Sequence, residues 1–390
     1  MERLRQMILQ GASSKALIEH VDAFCTSAND EEHAWIRVQT CCVESLQFAS
    51  DHDCYIDARA LYVFLKEIVH MLENKGYGEV ILDEICELIV GGQQGAQGQS
   101  EDVKMVMYDI PEHLEYPVVI NTLKSHNEVG AKLWEASLFI VEVCFHLRSH
   151  IYQKKLLELG TGVGNSGLLI AAHKAIKPSQ LTLTDFAPEV LQNLQYNIDR
   201  SKQQRERKFN LGTDSSSFTK VNSAVYLDWT LADTMDVTGE LSNVDVVLAA
   251  DCTYEENLCV HLANTLRRVL LASKARRKGV DSSVFSQNCS QNSSTIFSRY
   301  PYALIACTVR NEDTLSIFLQ RLEQIGAFVQ DVTWIVIDGV DDNIKSKSSE
   351  ESVYTDIGEH LIYPTHYLPT LSEEQIRSSL IRVIYVSFGE

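Results

Sequence analysis

The sequence predicts an α/β fold, a doubly wound sheet preceded by a helical N-terminal region, and three observations predict it. Strand-length apolar runs alternate with helix-period segments from about residue 155 onward. The first four of those runs carry a carboxylate at or near their C-terminal ends, Glu158, Asp185, Asp228 and Asp251, the end at which open α/β sheets bind ligands. A glycine turn, Gly160-Thr161-Gly162-Val163-Gly164, joins the first of these strands to a helix. Glycines there can take φ > 0 and let a ligand reach bare backbone, and the N–H groups of the helix start point into the turn.

Taken in order, residues 1 to about 90 read as helical. Leu61, Phe64, Leu65, Ile68, Met71 and Leu72 fall at i, i+3, i+4, i+7, i+10 and i+11, one apolar face of a helix, and Ile81, Ile85, Leu88 and Ile89 repeat the pattern. The Gly/Gln/Ser-rich run 91–100 breaks the period and reads as a linker. Two domains follow: a helical region with its linker over 1–100, read as a packed cap or as a substrate-recognition module, and a ligand-binding domain over 101–390. Tyr116-Pro117-Val118-Val119-Ile120 reads as an edge strand, since Pro117 cannot donate to a ladder. An apolar helix over 137–144 follows Trp134-Glu135-Ala136 and feeds the glycine strand 156–159.

Beyond the glycine turn, Leu168, Leu169, Ala171 and Ala172 continue as a helix, and Leu181–Asp185 is a strand. Pro188 suits a first helical residue, with Val190, Leu191, Leu194 and Ile198 at helical spacing. The polar stretch 201–222 reads as a loop, 224–229 as a third strand and 244–251 as a fourth, with Leu258, Leu262, Leu266 and Val269 marking the next helix. Residues 273–298, basic and then Ser/Asn/Gln-rich, read as a disordered insertion. A fifth strand over 302–309, a helix with Leu315, Phe318, Leu322 and Ile325, and strands at 329–337 and 380–386 complete the sheet, with a polar surface loop at 341–352.

Composition narrows the function classes. The 390 residues are 45% hydrophobic, enough for a full core, and carry a net charge of −19. That charge argues against nonspecific binding to nucleic acid or to anionic membranes and favours small molecules or proteins as partners. Ten cysteines include no CxxC pair and no Cys/His cluster at zinc spacing, so no metal and no disulfide framework is expected. No apolar run has signal-peptide or transmembrane length. The expectation is a monomeric cytoplasmic protein.

Gly162-Val163-Gly164-Asn165-Ser166-Gly167 satisfies G-x-G-x-x-G, so a dinucleotide is one candidate ligand. Three details favour a cationic ligand instead. Glu158 lies at the strand end, where a carboxylate repels a pyrophosphate and attracts a cation. Asp228-Trp229 suits an adenine face and its exocyclic amine. About 150 residues precede the motif, where dinucleotide domains commonly begin close to it. S-adenosyl-L-methionine fits: it carries a sulfonium, an ammonium, two ribose hydroxyls and an adenine, and Asp185 is placed to take both hydroxyls.

At this point the residues resemble a known family. Glu158-Leu159-Gly160-Thr161-Gly162, Asp185, Asp228-Trp229 and Ala250-Asp251-Cys252-Thr253-Tyr254 resemble the seven-stranded, Rossmann-like class I methyltransferases marked by a D-x-x-Y tetrad, many of which methylate lysines of particular proteins. Gly130 to Ala136 matches that group's G-x-x-x-W-D/E-A motif, with Glu135 where aspartate is common. Within the group the chain resembles the elongation factor 2 lysine methyltransferases, through the helical N-terminal region, Leu227-Asp228-Trp229 and Cys307-Thr308-Val309-Arg310-Asn311. The resemblance implies cofactor contacts from Trp134, Gly160, Thr161, Gly162, Asp185, Trp229 and Ala250, to which the reading of the residues adds Glu158 and Asp228. It implies that Asp251 and Tyr254 face the substrate lysine, and that elongation factor 2 is the protein substrate.

Methyl transfer to lysine needs a neutral amine, and neutralising one of pKa about 10.4 at pH 7 costs about 4.6 kcal/mol. A narrow, partly desolvated channel lowers that cost, while Asp251 and Tyr254 aim the amine. Two alternatives stay open at this level: a nicotinamide-dependent oxidoreductase, and a methyltransferase-fold interaction protein without catalysis. Intact Asp251 and Tyr254 favour catalysis over the second.

Overall fold

The structure, a computed structural model, describes residues 1–95, 103–123, 129–209, 218–234, 237–279, 296–333 and 381–389. The chain forms two compact units. The first opens with five helices: α1 (Glu2–Leu9), α2 (Ser14–Thr26), α3 (Glu31–Asp51), α4 (Ala58–Asn74) and α5 (Asp83–Gly95). Side chains of Ser13, Asp30 and Asp57 accept backbone N–H groups at the starts of α2, α3 and α4, satisfying donors that a helix start leaves unpaired. The apolar stripe of α4 closes on α3: Phe64, Leu65, Ile68 and Leu72 are buried in one cluster with Trp35, Val38 and Cys42.

The boundary falls between Lys132 and Leu133 and not near residue 100. The reason is a pair of strands, β1 (Val103–Tyr108) and β2 (Val118–Leu123), which form an antiparallel two-stranded sheet of their own. Met107 and Val119 from that sheet share a core with Leu9, Ala49 and Cys54 of the helical part, and Arg5 pairs with Asp109 at 2.6 Å. The run 91–100 is not wholly a linker either: α5 continues through Gly95, and the rest of that reading lies outside the described residues.

The second unit holds α6 (Glu135–His146), α7 (Arg148–Ile151), β3 (Lys155–Leu159), α8 (Asn165–Ala172), β4 (Gln180–Asp185), α9 (Pro188–Phe209), β5 (Lys220–Val221), β6 (Val225–Tyr226), β7 (Val246–Ala250), α10 (Glu256–Gly279), β8 (Tyr302–Thr308), α11 (Glu312–Gln324), β9 (Ala327–Asp331) and β10 (Ile381–Phe388). From Arg200 on, α9 groups with the first unit. The sheet order is β5-β4-β3-β7-β8-β10-β9, with β6 also beside β4. With β5 and β6 counted as one interrupted strand along β4, seven positions result. β4, β3, β7 and β8 run parallel, and β10 runs antiparallel to both β8 and β9.

The period of two along β3 decides which way its side chains face. Leu157 and Leu159 enter the cluster formed with Leu262, Leu266 and Val269 of α10 and Leu315 and Phe318 of α11. Glu158, between them, turns to the opposite face, where α8 packs. The sequence reading of an α/β doubly wound sheet is therefore the observed architecture. It departs in three places. Residues 201–209 are not loop but the end of α9, where Arg200 donates to the His52 carbonyl at 3.2 Å and Arg207 pairs with Asp53 at 2.8 Å. The third strand is short, giving way after Tyr226 to a 3₁₀ turn over Trp229–Leu231.

The third departure is the insertion, since α10 continues through Gly279. Lys274 donates to the Phe388 carbonyl, Ser273 accepts from Val244 N–H, and Arg277 pairs with Asp245; the basic run is anchored to the sheet. The readings at 280–295, at 341–352 and of strand beyond residue 333 lie outside the described residues. Eight of the nine described cysteines are buried as small core side chains, and Cys86 is exposed. Among the described residues no helix is long and apolar enough to cross a membrane, and no His/Cys/Asp/Glu group could hold a metal ion.

Candidate functional site

The order of the parallel strands reverses at β3, which has β4 on one side and β7 on the other. Such a switch point opens a crevice at the carboxyl ends of the strands, the end at which Glu158, Asp185 and Asp251 stand. Gly160, Gly162 and Gly164 all take positive φ, at 61°, 59° and 87°, in the left-handed region that side chains disfavour. Space is a second reason at Gly160: a Cβ there would lie 2.8 Å from Cys252 Sγ and 2.9 Å from the Trp229 ring. The turn is tied to β4, for Thr161 N–H donates to the Thr184 carbonyl at 2.9 Å and Gly162 N–H donates to Asp185 Oδ2 at 3.0 Å.

Asp185 ends β4, is buried, and through Oδ1 also accepts from Phe186 N–H at 2.8 Å and Ala187 N–H at 3.2 Å. It thus caps the approach to α9 and clamps the glycine turn. Phe186, beside it, is 54% exposed. Trp229 is half-buried against the core and covers Gly160. Asp228 caps the Trp229 turn, accepting at Oδ1 from Thr230 N–H at 2.9 Å and from the Thr230 hydroxyl at 2.7 Å.

Glu158 departs from the expectation of a carboxylate open to a cation. It is 1% exposed and accepts a hydrogen bond from the Ser166 hydroxyl in the first turn of α8. Gly167 packs so closely that a Cβ there would meet Glu158 Oε2 at 2.7 Å. The pleat puts Glu158 beneath the helix start, where the dipole favours negative charge. Burial nevertheless dominates and pushes its pKa up to about 7, against the opposing hydrogen bonds from Ser166, Gly167 N–H and Thr161. Glu158 therefore carries no argument against a pyrophosphate.

A pH effect on stability follows from Glu158. An unfolded glutamate ionises near 4.5 and the folded one near 7, so between those values the unfolded chain binds fewer protons. The contribution of Glu158 to stability falls as pH rises through this window, by about 3 kcal/mol at full ionisation. Glu158→Gln should raise the melting temperature relative to the parent more at pH 8 than at pH 5. Thermal unfolding at the two pH values checks it; an equal difference at both would mean that Glu158 titrates normally.

A second set of contacts is built on Asp251. β7 ends at Ala250, half-buried, and Asp251 follows at φ 57°, a conformation uncommon outside glycine though tolerated by Asp and Asn. Its N–H donates to the Ala306 carbonyl at 2.8 Å. Its carboxylate is buried and accepts from Thr308 N–H at 3.1 Å and, in a two-pronged ion pair, from both terminal nitrogens of Arg310 at 3.0 and 2.9 Å. The Arg310 guanidinium lies 5.0 Å from the centre of the Trp134 ring. Trp134 occupies the N-cap position of α6, where its carbonyl accepts from the Ser137 hydroxyl at 2.6 Å. The Asn165 amide of α8 in turn donates to that hydroxyl at 3.0 Å. Tyr254 is 44% exposed.

Three groupings result: Gly160 with Trp229 and Cys252, Gly162 with Asp185, and Asp251 with Arg310 and Trp134. Glu158 is bonded to Ser166 and Asp228 to Thr230. Arg310 carries no role in the sequence reading, although it stands inside the run Cys307 to Asn311; its signal would have been an arginine at the end of a strand adjacent to the Asp251 strand.

The sheet order, the antiparallel last strand and the glycine turn at the switch point define the class, a Rossmann-like α/β domain. Residues 117–292 match the protein family described as lysine methyltransferase. Across 287 residues the chain is 25% identical to a putative uncharacterized protein of Dictyostelium discoideum, covering 69% of this chain and 72% of that one. It is 26% identical over 208 residues to the protein-lysine N-methyltransferase EEF2KMT of Mus musculus, covering 53% of each. Over 143 residues it is 27% identical to a calmodulin-lysine N-methyltransferase of Arabidopsis thaliana, covering 36% of this chain and 41% of that one. The chain thus spans about half the length, or less, of these two named methyltransferases.

Proposed function

We propose that this protein transfers a methyl group from S-adenosyl-L-methionine to a lysine side chain of a protein, with elongation factor 2 as the substrate, acting as a monomer in the cytoplasm. The observation that carries the reading is Asp251: a buried carboxylate at the tip of β7, in a left-handed conformation, beside a glycine turn of bare backbone. Strained backbone of this kind is kept where a side chain must be aimed.

The residues fit the cofactor. The turn from Gly160 to Gly162 leaves backbone open to close approach, Asp185 stands at the end of β4 where the ribose would lie, and Trp229 with Ala250 and Trp134 would wall the adenine and methionine portions. When bound, S-adenosyl-L-methionine supplies a methyl group whose C–S bond breaks, with its electrons left on sulfur, as an amine lone pair forms the new N–C bond. The chain's own work is to hold the amine in line and neutral. Asp251 accepts a hydrogen bond from the lysine nitrogen, Tyr254 borders its path, and the one extra proton of the ammonium leaves to water before the neutral amine attacks. Holding a near-attack geometry accounts for most of the rate expected of such a site.

The choice of elongation factor 2 is supported by the likeness of Leu227-Asp228-Trp229 and Cys307 to Asn311 to that subfamily. The test is label transfer from radioactive S-adenosyl-L-methionine into purified elongation factor 2 and, in parallel, into a whole-cell extract. A labelled band at the size of elongation factor 2 in both supports the full reading. Label confined to another band keeps the reaction and removes this substrate. Cofactor binding without any label favours the non-catalytic interaction protein.

A further inference from the structure

Arg310 is the charged group of the site that the reading above does not use, and its geometry is specific. It grips Asp251 through two hydrogen bonds at 3.0 and 2.9 Å while its guanidinium lies over Trp134. The two-pronged match of a planar guanidinium to a carboxylate fixes orientation as well as charge, which a lysine's point charge does not reproduce. Its side chain is 45% exposed while that of Asp251 is 4% exposed, so the arginine forms the solvent side of the pair. One residue thus links the aromatic wall at the start of α6 to the acid at the end of β7.

Asp251 alone would pose a chemical difficulty. A lone carboxylate beside a lysine stabilises the ammonium form, and an ammonium has no lone pair with which to attack. We propose that Arg310 is a positioning residue for methyl transfer, which locks the Asp251 carboxylate against Trp134 and offsets its charge, so that the substrate lysine is received as the neutral amine. The proposal rests on the methyltransferase reading and deepens it. The paired carboxylate still accepts a hydrogen bond from the amine and so aims it, but no longer holds the extra proton on it.

Other ionisable groups surround the pair. Glu135, at the start of α6, favours the charged form of Arg310 together with Asp251, whose hydrogen bonds are the largest influence. Glu158 and Asp185 lie on the cofactor side, coupled electrostatically to Cys252 as Asp251 is. Glu255 and Glu256 act on Cys259 at the start of α10, and Asp331 acts on Cys307. Burial pushes the thiols of Cys252 and Cys307 up, so both are neutral at ordinary pH. Tyr254 stands three residues beyond Asp251. Most of the ionised neighbours are therefore acids, and Arg310 is the cation bonded directly to Asp251.

The test uses the full chain with Arg310→Gln and Arg310→Lys, and reads initial rates of label transfer from S-adenosyl-L-methionine into whole-cell extract from pH 6 to pH 10. Affinity for S-adenosylhomocysteine, measured by calorimetry, is the readout independent of turnover. The parent's rate should rise with pH as the acceptor lysine loses its proton. In Arg310→Gln that rise should move up by about one pH unit, as removal of a cation beside an acid implies, with a loss of about tenfold at pH 7 that is largely recovered at pH 9.5. Arg310→Lys should restore the position of the rise but not the full rate, because it supplies the charge without the two-pronged grip. Affinity for S-adenosylhomocysteine should stay within about threefold in both variants.

A uniform loss at every pH in Arg310→Gln, or a rise that stays where the parent's is, would overturn the proposal and leave the methyltransferase reading standing. A large loss of S-adenosylhomocysteine affinity in both variants would overturn it too, since Arg310 would then serve the cofactor site. No label transfer by the parent at any pH would overturn the methyltransferase reading and this proposal with it.

Discussion

Asp251→Asn should lower methyl transfer by about a hundredfold or more at pH 7.5 while leaving S-adenosyl-L-methionine affinity nearly unchanged. Asparagine is the informative choice because it tolerates the φ of 57° and can still accept the Thr308 N–H. What it removes is the carboxylate that meets Arg310 on two atoms and that, in the proposed mechanism, aims the substrate amine. Loss of a group that positions reactants costs rate more than binding. The cost to folding should be under about 2 kcal/mol, since Arg310 is 45% exposed and can return to water. Single-turnover rates together with calorimetric cofactor affinity measure both quantities. A rate within threefold of the parent would remove Asp251 from the reaction.

Gly160→Ala should damage cofactor binding instead. The added methyl group faces two penalties: a left-handed φ of 61°, costing about 1–2 kcal/mol, and overpacking against Cys252 Sγ and the Trp229 ring at 2.8 and 2.9 Å, costing about 1–3 kcal/mol. Relief would come from moving the indole, which is the proposed adenine wall. The expected result is a fall in S-adenosyl-L-methionine affinity of about tenfold or more, with a lowered melting temperature. Isothermal titration and thermal unfolding check it. An unchanged affinity would mean that Trp229 does not border the cofactor.

The fold was legible where one period dominated. The alternation around Leu156 to Leu159, the strand 181–185 and the apolar run 244–251 gave the parallel core, and Pro188 with Val190, Leu191, Leu194 and Ile198 gave α9. The departures share a physical cause: polar composition reads as loop where tertiary contacts hold a helix. Residues 201–209 are helical because Arg200 and Arg207 reach the backbone and side chain at 52–53. Residues 273–279 are helical because Ser273, Lys274 and Arg277 are tied to the sheet. No local pattern carries such partners.

Within the site, residue types and spacing were readable, and orientation was not. Glu158 stands at the predicted strand end, yet the alternation that buries Leu157 and Leu159 on one face commits it to the other, beneath α8. Asp228 likewise acts on its own turn through Thr230. Arg310 escaped because its meaning depends on two partners, Asp251 and Trp134, which are 59 and 176 positions away. The pairing of β7 with β8 is what brings Asp251 to it.

The central claim is methyl transfer to lysine, and the most direct test is the chemical form of the product. The intact protein is incubated with radioactive S-adenosyl-L-methionine and whole-cell extract, the protein fraction is hydrolysed, and the labelled amino acids are separated. The account predicts that the label runs as methylated lysine, and that it disappears when the extract's lysines have been chemically blocked beforehand. Label in methylated arginine or histidine, or label that persists after lysine blocking, would contradict it.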